Sequence, residues 1–185
     1  MSILVGEYKH VPPAYCAYDP GAVVVAQMLA DAICAQDERL AVEHVGSSSV
    51  PGCGGKGYID LLVTYPVGAL AVATQTLRDL GFQRQQSRDP FPEERPMRVG
   101  SIEAAGHVYL IHAHVVAATS AEVEQLLHFR DRLRSDGALA RAYEREKQRI
   151  LAEGVGDSKD YALKKGTFIA QVLGERTQPT EKGGG

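Results

Sequence analysis

Asp60 stands at the head of an apolar segment, Ile59-Asp60-Leu61-Leu62-Val63, directly after a loop of small residues running from Gly46 to Gly57. Such a loop lets a phosphate approach the backbone, and its hydroxyls and N–H groups can hydrogen-bond phosphate oxygens. The candidates for that cradle are Gly46, Ser47, Ser48 and Ser49. A carboxylate in the next strand can then hold the Mg2+ that phosphates bring with them, which makes Asp60 a candidate metal ligand and catalytic residue. Lys56 lies four residues before Asp60 and offers a cation for the same phosphate, the alternative being a solvated loop lysine. His112 and His114 are two apart in a predicted strand, so both project from one face, with Ile111, Ala113 and Val115 on the other. Beside Asp60 they can bind a transferring phosphate, act as general base or ligate a transition metal. With His44 they would make a three-histidine zinc set, secondary here to magnesium. The plainer alternative is two strand histidines hydrogen-bonded within a polar cleft.

Two better-known phosphate motifs are excluded by context. Gly52-Cys53-Gly54-Gly55-Lys56-Gly57 matches G-x-G-x-x-G letter for letter, but the dinucleotide fingerprint must open a helix and a strand follows here. The P-loop would need glycine at Val50 and Ser or Thr at Gly57, again before a helix. Without further support the loop reads equally as a flexible connection. Arg130, Lys147 and Lys165 lie on predicted helices; each can close over a phosphate or simply solvate a helix surface. Arg88, Arg95 and Arg98 flank a proline-rich loop that is either a lid or a plain solvated loop. Cys53 has no sequence neighbour to activate its thiol and is given no catalytic role.

The elements that must position these residues follow from periodicity. Asp19-Pro20 predicts a helix start with proline at N1, and an alanine-rich helix continues to about Ala35. Leu40–Val45 and Tyr58–Tyr65 read as strands, Val67–Leu80 as a helix stopped by Gly81, and Phe82–Gln86 as a short strand. Residues 87–96 read as an exposed loop. A hairpin over Met97–Glu103 and His107–Ala117 turns at Ala104-Ala105-Gly106. A helix from Thr119 or Ser120 places Val123, Leu126, Leu127 and Leu133 on one face, and further helices cover Leu139–Glu153 and Tyr161–Leu173. At 185 residues and 44% apolar, the chain suits one domain over residues 1–174 with a disordered polar tail, 175–185. A net charge of −3 gives no general pull toward nucleic acid or membrane. Three widely spaced cysteines, no signal-like N-terminus and no apolar run near ~20 residues point to a cytoplasmic protein.

Beyond these readings, the chain resembles the GrpB-like family of the nucleotidyltransferase superfamily. The superfamily pattern is a hydrophobic residue, Gly, Gly or Ser, a spacer of about a dozen residues, then a strand bearing acids. Val45-Gly46-Ser47 is followed by twelve residues, Ser48 to Ile59, and then Asp60. The fuller family string is matched by Glu43 through Gly52, then Lys56, Ile59 and Asp60. His112-Ala113-His114-Val115 looks like the family's H-x-H-V strand, and Phe129 through Arg134 like its F-R-D-x-L-R helix. Tyr143 with Lys147, and Tyr161 with Lys165, look like its two Y-x3-K segments. The resemblance spans Tyr18 to Leu173 and implies a mixed α/β (α+β) sheet with helices packed mostly on one side and a helical C-terminal segment.

The activity it implies is metal-dependent binding of a nucleoside triphosphate, with transfer of a nucleotidyl group to a small-molecule or protein acceptor. On this reading Ser47 and Ser48 hold the β- and γ-phosphates, Lys56, Arg130 and Lys165 balance charge, and His112 or His114 assists proton transfer. Two departures matter. Cys53-Gly54-Gly55 and Gly57 make the loop look floppier than the family's form. An active nucleotidyltransferase carries carboxylates at i and i+2, and here the second position is Leu62. That loss keeps open a non-catalytic nucleotide-sensing or chaperone-like partner module, since GrpB-like domains also occur fused to dephospho-CoA kinase. A zinc hydrolase on His44, His112 and His114 is the third alternative.

Overall fold

In the computed structural model, which describes residues 4–9, 11, 14–87, 89–154 and 158–174, five strands form one sheet. They are β1 (Ala41–Val45), β2 (Ile59–Tyr65), β3 (Gln83–Arg84), β4 (Met97–Ala104) and β5 (His107–Ala117), in spatial order β1-β2-β5-β4-β3. β2 and β5 run parallel and every other pair is antiparallel, so the sheet is mixed. Five helices flank it: α1 (Gly21–Gln36), α2 (Leu70–Asp79), α3 (Ala121–Ser135), α4 (Gly137–Ala152) and α5 (Ser158–Gly174). The expected tail at 175–185 and Arg88 lie outside the described residues. Among the described residues no helix is long and apolar enough to cross a membrane.

Strand alternation divides the chemistry from the core. Ile59, Leu61, Val63 and Tyr65 of β2 and Ile111, Ala113 and Val115 of β5 pack with α1 and α2 in the main core. Leu61, Val63, Ile111, Ala113 and Val115 are fully buried, and each large side chain so buried contributes about 1.5–3 kcal/mol. The intervening residues, Asp60 and Leu62 of β2 and His112, His114 and Val116 of β5, therefore share the opposite face. The helix entry is displaced by one residue from expectation. Pro20 occupies the N-cap, while Asp19 Oδ1 accepts from Gly21 N–H at 2.8 Å. The hairpin turn is tighter than expected, because Ala104 already pairs with His107. Ala105 (φ 50°) and Gly106 (φ 79°) make the two-residue turn with positive φ at both positions. The strand expected over Phe82–Gln86 keeps only two paired residues, and residues 89–96 contain no regular element.

The expectation that helices lie mostly on one side is corrected. Val45, Leu62 and Val116 are apolar positions on the otherwise polar face, and α3 covers them with Val123, Leu126 and Leu127. Leu133, expected on that same stripe, instead joins a separate cluster with Val50, Cys53, Phe129, Ala140, Tyr143 and Val172. This cluster joins the glycine loop to the C-terminal helices, which hold it from the side.

Candidate functional site

Asp60 is the centre of the polar face. Gly46, at the end of β1, has φ 71° and ψ −174°, a conformation essentially restricted to glycine. A Cβ there would lie 2.3 Å from Asp60 Oδ2, so the loop backbone abuts the carboxylate. The other oxygen faces the histidines: His112 Nδ1 is 3.6 Å and His114 Nε2 3.7 Å from Asp60 Oδ1. The register explains the meeting, since Asp60 pairs with His112 and Leu62 with His114 across parallel strands. Burial pushes the Asp60 pKa up, but pairing with His112 and His114 outweighs it and holds the carboxyl well below its usual range.

The outer partner of His114 fixes its tautomer. Arg95 Nη1 lies 3.1 Å from His114 Nδ1, and a guanidinium only donates. His114 Nδ1 therefore accepts, and its proton sits on Nε2, facing Asp60. Arg95 is itself held by the Glu122 carboxylate. Burial lowers the His114 pKa and favours the neutral ring, with attraction to Asp60 opposing. His112 Nε2 lies 2.9 Å from the Tyr8 hydroxyl, which also hydrogen-bonds Tyr58, and His112 Nδ1 faces Asp60. Both rings thus turn a nitrogen toward the carboxylate. Tyr8 carries no sequence signal beyond its type and was reached only through the fold.

The loop serines divide. Ser47–Ser49 form a 3-10 turn. Ser49 Oγ donates to Gly46 O at 2.7 Å and Ser48 Oγ to Tyr58 O at 2.8 Å, so both hydroxyl protons are committed to backbone. His44 Nε2 lies 3.0 Å from Ser48 Oγ and must donate to it, while His44 Nδ1 is buried without a partner. Burial pushes the His44 pKa down to about 4. Ser47 alone keeps a hydroxyl without a hydrogen bond among the described residues. The run Cys53-Gly54-Gly55 is firm rather than floppy. Gly55 exchanges two backbone hydrogen bonds with Cys16, at 2.6 and 2.9 Å, and a Cβ at Gly55 would lie 2.7 Å from Ser47 Oγ. The glycines there make room for close neighbours.

Lysines gather beside this loop. Lys56 Nζ sits 4.7 Å from the Tyr58 ring centre and 4.6 Å from that of Tyr161, with Lys165 Nζ 5.7 Å from the same Tyr161 ring. Burial pushes the Lys56 pKa down to about 8, Lys165 adding repulsion and Asp60 opposing it. Among the described residues neither lysine pairs with a carboxylate. Lys147, read as a helix-surface residue, is 1% exposed. Its Nζ donates to Gly54 O and lies 3.3 Å from Cys53 Sγ and 4.5 Å from the Tyr143 ring centre. Burial lowers its pKa too, and raises that of the Cys53 thiol.

Other expected residues lie elsewhere. The Arg130 guanidinium is occupied by Glu43 (2.6 Å), His44 O (3.2 Å) and Asp131 (2.8 Å); it ties α3 to β1 and does not face the loop's interior. Arg134, one turn on, donates to Ser49 O at 2.9 Å and fastens the loop itself. Its place at i+4 from Arg130 was the signal available. Arg98 binds Glu93. The three-histidine zinc set does not converge, because His44 pairs with Leu61 and so sits on the main-core face, away from Asp60. No group of three His, Cys, Asp or Glu suited to a metal occurs among the described residues. Asp60 is the one carboxylate there that could hold a hard cation. Position 62 offers nothing to a second, since Leu62 is fully buried beneath α3.

Comparison with known proteins agrees with this architecture. The family model described as GrpB protein matches residues 16–175. A UPF0157 protein of Vibrio cholerae is 33% identical over 134 residues, covering 72% of this chain and 66% of the relative, just under two thirds of its length. The crystal structure of conserved protein GrpB from Enterococcus faecalis is similar over 89% of this chain and all of that one, with TM-score 0.66 and 20% identity. One chain of the GLD-2/RNP-8 complex is similar over 89% of this chain and 63% of that one, with TM-score 0.54 and 15% identity. At these identities the structural likeness is one of fold, and the fold is nucleotidyltransferase-like.

Proposed function

The chain belongs to the GrpB family, and we propose that its glycine loop binds a nucleoside triphosphate with one Mg2+ and that the site transfers the nucleotidyl group to an acceptor. One observation carries the reading. The loop backbone at Gly46 meets Asp60 Oδ2, while two lysines without carboxylate partners, Lys56 and Lys165, gather beside the same loop. Unbalanced ammonium groups around a close-approach backbone suit a polyanion. Ser47 and the loop amides hydrogen-bond the β- and γ-phosphates, and Lys56 and Lys165 balance their charge. Lys147 stiffens the floor through Gly54 O. Asp60 would hold the ion, which when bound would neutralise phosphate charge, and His112 and His114 orient the carboxylate. The protons of Ser48 and Ser49, and the guanidinium of Arg130, serve the loop's shape rather than the ligand.

The buried Leu62 favours a second reading, in which the nucleotide is bound and sensed without transfer, because one carboxylate does not organise two ions. Calorimetric titration with ATP, GTP, CTP and UTP, each with Mg2+ and with EDTA, tests the common premise. Micromolar binding is expected for at least one nucleotide, weakened tenfold or more by EDTA and by Asp60→Asn in a variant that still melts cooperatively. Absence of binding to all four sinks both nucleotide readings.

A further inference from the structure

Tyr8 precedes the matched family region, which begins at residue 16, yet its phenol reaches the centre of the candidate site. The placement is built in. Val5 N–H donates to Leu80 O at 2.8 Å, Gly6 and Ser101 exchange backbone hydrogen bonds at 2.8 and 3.1 Å, and Ser101 Oγ donates to Glu7 O at 2.6 Å. Tyr8 N–H donates to Gln83 Oε1 at 2.9 Å. Val5 is 3% exposed, and its seat needs two glycines. A Cβ at Gly100 would lie 2.1 Å from Val5 Cγ1, and one at Gly81 2.3 Å from Val5 O. The sheet edge is thus carved to hold this segment, and the held segment delivers Tyr8.

The delivered hydroxyl completes a recognisable order of groups. Tyr8 Oη lies 2.9 Å from His112 Nε2, and His112 Nδ1 lies 3.6 Å from Asp60 Oδ1. Burial and the neighbouring Tyr58 hydroxyl raise the Tyr8 pKa, so attack by this phenol needs a base, and an imidazole within hydrogen-bond reach and backed by a carboxylate can supply one. The phosphate side is near: Lys56 Nζ and the His112 ring both lie against the Tyr58 ring, at 4.7 and 4.8 Å from its centre. Tyr8 itself is only partly buried.

We propose that the Tyr8 hydroxyl is itself an acceptor and that the protein nucleotidylates its own Tyr8, an inference resting on the triphosphate reading above. Tyr8 Oη bonds to the α-phosphorus of the nucleoside triphosphate as the bond from that phosphorus to pyrophosphate breaks. The phenolic proton passes to His112 Nε2, and pyrophosphate leaves with the bonding electron pair toward Lys56 and Lys165. The product is a tyrosyl phosphodiester, which either persists as a modification or passes its nucleotidyl group onward.

The full chain is incubated with each of the four ribonucleoside triphosphates and Mg2+, and its intact mass is read, with tandem mass spectrometry locating any adduct. The expected result is a gain of one nucleoside monophosphate unit per chain, located at Tyr8. The adduct should be absent from Tyr8→Phe and at least tenfold slower in His112→Gln, with melting temperatures showing that both variants fold. Calorimetry on the same wild-type preparation separates the two claims. Nucleotide binding without any adduct, or an adduct at another residue, overturns the Tyr8 proposal and leaves the nucleotide site standing. No binding removes both.

Discussion

Gly46→Ala tests the approach of backbone to carboxylate on which the site depends. Two costs add at this position. An L residue at φ 71°, ψ −174° carries backbone strain of about 1–3 kcal/mol. The new methyl would also start 2.3 Å from Asp60 Oδ2 and 3.1 Å from Asp60 Cβ, so the carboxylate must swing aside. Losing one charged contact to His112 or His114 then costs about 1.5 kcal/mol more. A total of about 2.5–4.5 kcal/mol corresponds to a fall of roughly 5–18 °C in Tm for a chain of this size. Gly52→Ala is the comparison, because φ is 75° there and nothing lies within 4 Å of its Cβ; only the backbone share, about 1–2 kcal/mol, should be lost. The decisive measurement is a double-mutant cycle by thermal or urea unfolding. In an Asp60→Ala background the carboxylate is gone, and Gly46→Ala should cost about 1–2 kcal/mol less than in wild type. An equal cost in both backgrounds would show that Gly46 is glycine for reasons unrelated to Asp60, and the argument for a phosphate pressed against that carboxylate would fail.

Two pH dependences follow from buried groups. His44 has its folded pKa pushed down to about 4 from 6.5, so the unfolded chain takes up the proton first. Its stabilising share is complete above about pH 6.5 and is lost as pH falls toward 4, at about 1.4 kcal/mol per pH unit. Urea unfolding at pH 7, 6 and 5 should show a steeper decline for wild type than for His44→Gln, and parallel curves would refute the assignment. Lys56, pushed down to about 8, is only about one-tenth protonated at pH 9 in the free protein. Affinity for the Mg2+–nucleotide should therefore weaken about tenfold more between pH 7 and pH 9 in wild type than in Lys56→Gln, as read by calorimetry.

The meeting of Asp60, His112 and His114 could be foreseen because strand period alone places i and i+2 on one face, and β2 and β5 proved to be neighbours. Proton accounting could not be foreseen. Ser47, Ser48 and Ser49 are identical in sequence terms, and only the turn geometry shows that two of the three hydroxyls are spent on Gly46 O and Tyr58 O. Arg130 and Lys147 were misplaced for a related reason. Helical spacing shows which residues share a stripe but not whether that stripe faces water or a loop from the first half of the chain. The zinc alternative failed on parity, since His44 lies an odd number of positions from Val45, the residue that shares Asp60's face. The second helical layer followed from Leu62 and Val116, whose meaning depended on knowing what surrounds them. Tyr8 belongs to no motif, and its placement rests on the bridge between Gly6 and Ser101, which local sequence does not encode.

Lys147 and Cys53 meet across 94 positions of chain, and Gly54 N–H is held by Glu144 across 90. During synthesis the glycine loop therefore leaves the ribosome long before the residues that stiffen it, while β2 also waits for its parallel partner β5. Loop-closure entropy must be met before either contact gives anything back. A nascent chain holding everything up to α3 would carry Asp60, both histidines and the serine turn, yet its loop floor would still be unsupported. On the nucleotide reading, competence to hold a ligand would arrive late in biogenesis, with α4 and α5, and a chain stopped short of those helices should be unable to sequester the ligand.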